Sequence, residues 1–147
     1  MCVFCDIIKG DIHSYKVYED DNYLAILDIS QATLGHTLVM PKKHYDTILD
    51  MEDDKAGELM SVADKVAKKI ITNLNATGCN MIINTGEVAG QSVKHVHLHI
   101  VPRYTESDSI KIEVKENKFN LDEVLNRINK GLWQKPLFLY NTSRCKT

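Results

Sequence analysis

Three histidines stand at alternate positions in 91-QSVKHVHLHIVPR-103, inside a run that is otherwise apolar. Side chains two residues apart on a strand emerge on the same face about 7 Å from each other, so a strand here would align His95, His97 and His99. Val96, Leu98 and Ile100 would take the opposite face. That aliphatic face must be buried, which fixes the register, because a slip of one residue would bury all three imidazoles. A row of polar residues on a wet sheet face is the plain alternative. Threonine, lysine or glutamate would serve that purpose better, and adjacent imidazoles oppose one another's protonation. Neutral imidazoles are nucleophiles and metal ligands. A nucleophilic one needs a bare ring nitrogen aimed at the substrate, with the other nitrogen's proton held by an acceptor.

The residues just before the row indicate what such a nucleophile would attack. The loop 86-GEVAGQS-92 carries Gly86 and Gly90, which let backbone amides approach a phosphate closely, and Gln91 and Ser92 bring side-chain donors to the same place. An ordinary hairpin connection is the competing reading of the loop. Its adjacency to the histidines favours phosphoryl chemistry. Cys2 and Cys5 are the other pair with chemical content; at this spacing they signal metal or redox chemistry in a reducing compartment rather than a disulfide framework. Cys79, within an apolar run, reads as a small packed residue, and Cys145 has no readable role.

The elements that must position these groups are legible in outline. Residues 16–28 read as a hairpin turning over Glu19 to Asn22, and 37-TLVMP-41 as a short strand brought to a sheet edge by Pro41. Ala56, Leu59, Ala63, Val66, Ile70 and Leu74 recur at helical spacing over 53–74, with Asp50 or Glu52 available as cap and Gly78 beyond its end. A further strand fits 80–86. A short helix fits 121–130, with Asn120 as N-cap, Glu123 three residues on and Gly131 as stop. The expectation is an α+β fold, an antiparallel sheet with one long and one short helix. It forms a single domain over 1–131, followed by an aperiodic tail over 132–147.

At 147 residues with a formal net charge of −2, the chain suits one domain and offers no global charge for nucleic acid or a membrane surface. An anionic ligand must be held locally. The first residues carry no basic leader before a long apolar stretch and no window is long enough to span a bilayer, so a cytoplasmic protein is expected.

The motif GQSVKHVHLHIVPR resembles the signature of the histidine-triad (HIT) family, and 24-LAILDISQATLGHTLVMPKKH-44 is similar to the ribose-binding strand and the strand after it in the same proteins. The resemblance runs from Cys2 to Tyr104. It implies a two-fold homodimer whose sheet continues across the interface, with a purine-nucleotide pocket in each subunit. His97 would be the nucleophile that attacks the α-phosphorus and forms a nucleotidyl-histidine, which water then resolves. His99 would donate to the phosphate oxygens, Gln91, Ser92 and Asn84 would surround the phosphate and leaving group, Asp28 would bind the ribose hydroxyls, and Ile29 would wall the base. His36 matches a structural position near the start of the sheet. His13 reads as a solvated loop residue, and Lys42-Lys43 as a commonplace surface pair.

The same resemblance extends to metal. His44 and His95 lie where a subset of HIT proteins completes a Cys2His2 site with Cys2 and Cys5, and thiolate with imidazole in a closed tetrahedral set favours structural zinc. With His95 so bound, Ser92 becomes the better proton donor to a leaving group. The implied activity is nucleotide hydrolysis or transfer. HIVPR is closer to relatives that split dinucleoside polyphosphates, whereas the cysteine pair and DIS are closer to the nucleoside phosphoramidase branch. Two rivals are a nucleotide-binding regulatory dimer with incidental turnover, and a triad that ligates a catalytic ion itself.

Overall fold

The structure is a computed structural model that describes residues 2–108 and 115–130. The chain divides into two units, Met1–Lys111 and Ile112–Thr147, and each is treated by itself. The expected tail over 132–147 lies outside the described residues.

The first unit is built on one five-stranded antiparallel sheet in the order β1-β2-β3-β5-β4. Lys16–Glu19 (β1) and Tyr23–Leu27 (β2) form the expected hairpin. Asp20 closes its turn by accepting the amides of Asn22 at 2.8 Å and Tyr23 at 2.7 Å. Thr37–Pro41 (β3) is not at the sheet edge but at its centre, between β2 and Leu98–Arg103 (β5). Pro41 is tolerated there because β5 pairs only with Thr37 to Val39, so no ladder bond is missing at the proline. Gly78–Ile83 (β4) starts two residues before and ends three residues before the expected span of 80–86, because its partner β5 offers Arg103 at one end and Leu98 at the other.

Asp53–Leu74 (α2) fills the predicted span and is entered through Glu52. Asp50 instead caps the short 3-10 turn Ile48–Asp50, where it and Thr47 bond reciprocally. Leu59, Val62, Ala63, Val66, Ala67 and Ile70 are buried along one stripe of α2. They pack on Tyr23, Ala25, Val39, Leu98 and Ile100 of one sheet face.

The other face holds Leu24, Ile26, Leu38 and Met40, and it is covered by an element the sequence reading lacked. Val3–Lys9 (α1) is a seven-residue helix that buries Phe4 and Ile7 there. Among the described residues there are thus two short α-helices and a long one. The second short helix, Leu121–Asn129 (α3), belongs to the second unit; the side chain of Asn120 accepts from the amides of Asp122 and Glu123, as the cap pattern requires. No helix among the described residues is long and apolar enough to cross a membrane.

Candidate active site and metal centre

The histidine row alternates as expected but only its last member lies on a strand. His95 and His97 precede β5; there the amide of His95 bonds the Val93 carbonyl at 2.8 Å and that of Val96 bonds the Tyr45 carbonyl at 2.9 Å. Val96, Leu98 and Ile100 enter the core against α2 as the alternation demands. The opposite face is not open to solvent. His95 is 0 % exposed and His97 5 %, because the ring of Phe4 on α1 stands edge-on to both, with centroids 6.0 and 5.0 Å away.

One end of the row turns toward sulfur. His95 donates from Nε2 to the Pro41 carbonyl at 2.8 Å, which leaves the lone pair of Nδ1 facing Sγ of Cys2 at 3.5 Å and Sγ of Cys5 at 3.6 Å. His44 repeats the arrangement: Nε2 donates to Asp46 at 2.9 Å, and Nδ1 lies 3.3 Å from Sγ of Cys5. All four ligand atoms fall within 4.8 Å of one another. Bond lengths of about 2.1 Å to nitrogen and 2.3 Å to sulfur give a tetrahedral edge of about 3.6 Å, so these separations fit a small tetrahedral cation. The donor set fits as well. Both rings hold their distal N–H on an oxygen, the arrangement that fixes the tautomer of metal-ligating histidines. In the absence of a cation, burial and the neighbouring Cys2 raise the pKa of the Cys5 thiol.

The other end of the row is a second cluster. Nδ1 of His97 donates to the carbonyl of His95 at 2.7 Å, so Nε2 is the nitrogen left bare. His99 packs against it with ring centroids 5.0 Å apart. Its Nδ1 lies 3.0 Å from Nε2 of His36, a buried residue expected to be structural that the fold instead brings into this cluster. Nδ1 of His36 in turn lies 3.3 Å from the Ser30 carbonyl and 3.7 Å from Asp28. Burial, reinforced by His97 and His36, lowers the pKa of His99 from 6.5 to about 4. The triad rings therefore do not converge on one point, which removes the reading of all three as ligands of one ion. Asp28, His36 and His99 also bring ligand atoms within 4.8 Å, but the 3.0 Å contact already engages Nε2 of His36 and Nδ1 of His99 with each other.

The glycine loop adjoins this cluster in sequence. Gly86 and Gly90 have φ of 84° and 89°, left-handed values that bracket the 3-10 turn Glu87–Ala89. Gln91 is buried and spent on backbone: its Nε2 donates to the Asp46 and Val93 carbonyls at 2.6 and 3.1 Å, and its Oε1 accepts the Gly86 amide at 2.8 Å. Asn84 reaches the Gly90 carbonyl at 3.4 Å, and Ser92 is exposed. Asp28 accepts the amide of Ser30 at 2.8 Å, and Ile29 is 93 % exposed. A separate cleft of about 420 Å³, lined by Lys42, Lys43 and Lys55 among others, contains none of these residues. Its lysines are paired with Glu19, Glu52 and Glu58, so it offers no unpaired charge for an anion. The histidine cluster is the stronger site.

Known proteins share this fold. The HIT domain matches residues 9–106. The crystal structure of a HIT family protein from Bacillus subtilis superposes with a TM-score of 0.82 at 43% identity, covering 89% of this chain and 96% of that one. A zinc-bound histidine triad family protein from Mycobacterium smegmatis gives 0.71 at 41% identity over 74% of this chain and 79% of that one. A histidine triad nucleotide-binding protein from Candida albicans gives 0.77 at 30% identity over 88% and 94%. With the HVHLH row, the sheet that carries it and the matched span in agreement, the chain belongs to the HIT family.

Proposed function

We propose that this protein is a purine-nucleotide hydrolase or transferase that works through a nucleotidyl-histidine at His97, with a nucleoside phosphoramidate or a dinucleoside polyphosphate as substrate. The observation that carries the proposal is the hydrogen bond from Nδ1 of His97 to the His95 carbonyl, which holds the ring in the tautomer a nucleophile needs. The Nε2 lone pair forms a bond to the α-phosphorus, and the bond from phosphorus to the leaving oxygen or nitrogen breaks with its electrons on the leaving group. Ser92, exposed at the mouth of the loop, delivers a proton to that atom. The ring now retains its Nδ1 proton and carries positive charge, which the His95 carbonyl stabilises at 2.7 Å. Water attacks the phosphorus and yields a proton that restores the Ser92 hydroxyl, the P–N bond breaks, and the nucleoside monophosphate departs with the imidazole neutral again.

The remaining roles follow the same division. His99, with Nδ1 engaged by His36, has only Nε2 left to meet the phosphoryl oxygens. Gln91 braces the loop whose amides, with Asn84 and Ser92, surround the phosphate. Asp28 binds the ribose hydroxyls, and Ile29 covers one side of the base. Cys2, Cys5, His44 and His95 would hold a structural zinc, which would tie α1 to the sheet. The working unit is a homodimer.

Rapid quenching with a substrate labelled at the α-phosphorus is expected to leave label on His97, and His97→Ala to lower kcat by about 10³-fold or more. Metal analysis of the purified protein should return one zinc per chain. Absence of label and of turnover with both substrate classes would overturn the reading.

A further inference from the structure

We propose that the cysteine–histidine cluster controls the nucleophile, with Phe4 and the backbone of His95 as the two links. This rests on the reading of His97 as nucleophile and of the cluster as a metal centre. His97 lies outside the sheet ladder, since β5 begins at Leu98, so strand pairing does not fix it. Its ring is held by one hydrogen bond and by packing.

The hydrogen bond and one of the two ring contacts originate in the cluster. The hydrogen-bond acceptor is the carbonyl of His95, whose own ring faces both sulfurs. One packing partner is Phe4, 5.0 Å from His97 and inclined at 72°, which sits in sequence between Cys2 and Cys5; the other is His99, also at 5.0 Å. Phe4 is carried on a helix of seven residues, too short to persist by its own hydrogen bonds. α1 stays in place through the burial of Phe4 and Ile7 and through its two sulfurs facing His44 and His95. Releasing the sulfurs therefore loosens the helix that presses on His97 and, at the same step, the residue whose carbonyl fixes its tautomer. A displacement near 1 Å at a reacting atom is enough to cost about 10²-fold in rate. Phe4 is accordingly a positioning residue.

The test compares wild type, Phe4→Leu, Cys5→Ser and the double variant as full chains, with zinc supplied throughout. Leucine keeps most of the buried apolar volume of Phe4 while removing the ring, so Phe4→Leu should keep its zinc and fold while kcat falls about tenfold or more with KM nearly unchanged. Cys5→Ser should lose zinc and lower kcat further. The double variant should be little worse than Cys5→Ser, because the two changes act through one path. Nitrogen-15 NMR of the His97 ring should show a single tautomer in wild type and a mixture in Phe4→Leu and Cys5→Ser. A wild-type kcat with a single tautomer in Phe4→Leu would overturn the proposal, as would effects that multiply in the double variant. Tautomer mixing on zinc loss in a protein that turns over no nucleotide would sustain the coupling and sink the hydrolase reading instead.

Discussion

In each imidazole of the site one ring nitrogen is already committed, and that commitment sets what the other can do. His44 and His95 place Nε2–H on oxygen and turn Nδ1 to sulfur, whereas His97 places Nδ1–H on oxygen and frees Nε2. Alternation in the sequence showed that the three would share a face but not which nitrogen each would offer, because that depends on carbonyls such as Pro41, far along the chain. His36 was legible only as a buried histidine for the same reason: its partner His99 is 63 residues away. His99 also gives the site a pH signature. Its pKa is about 4 in the folded protein against 6.5 for the ordinary side chain, so between those values the unfolded chain binds more protons. This contribution to stability is complete above pH 6.5 and is lost as the pH falls toward 4. His95, also lowered by burial, acts with the same sign. Thermal melts from pH 7 to 4 should fall several °C further in wild type than in His99→Asn; parallel curves would refute the assignment.

Among the elements, α2 was the most legible because a 22-residue amphipathic helix repeats its period many times. α1 was hidden because two turns repeat almost nothing, and its cysteines drew attention to metal rather than to the helix carrying them. The strand boundaries shifted for a related reason: β4 ends where β5 ends, and pairing partners are a property of the sheet rather than of either segment. The histidine row and the cysteine pair were thus legible in the sequence, while the helix that covers them was not. α2 supplies the larger core, and Leu59 lies in it with 0 % exposure. Leu59→Ala should cost about 2–5 kcal/mol in urea unfolding. Asp64→Ala, which removes an exposed pair with Lys68, should change stability by less than about 0.5 kcal/mol.

Across the sheet of the first unit the two edges differ. β1 is four residues long, breaks register between Lys16 and Tyr18, and carries Lys16 and Glu19 in ion pairs, all features that discourage a further strand. β4 is six residues long, uncharged and only half-covered. It is the edge on which the proposed dimer would continue the sheet, and sedimentation of the full chain should return the mass of two copies. A monomer at micromolar concentration would remove that part of the proposal. The ring of Phe4 has a last consequence. Five imidazoles gathered this closely would ordinarily form a relay along which protons hop, yet a benzene ring has no atom that can accept or pass one. Set edge-on against both His95 and His97, the Phe4 ring offers no path for a hopping proton through itself, and what passes between the two imidazoles is the influence of one charge on the other.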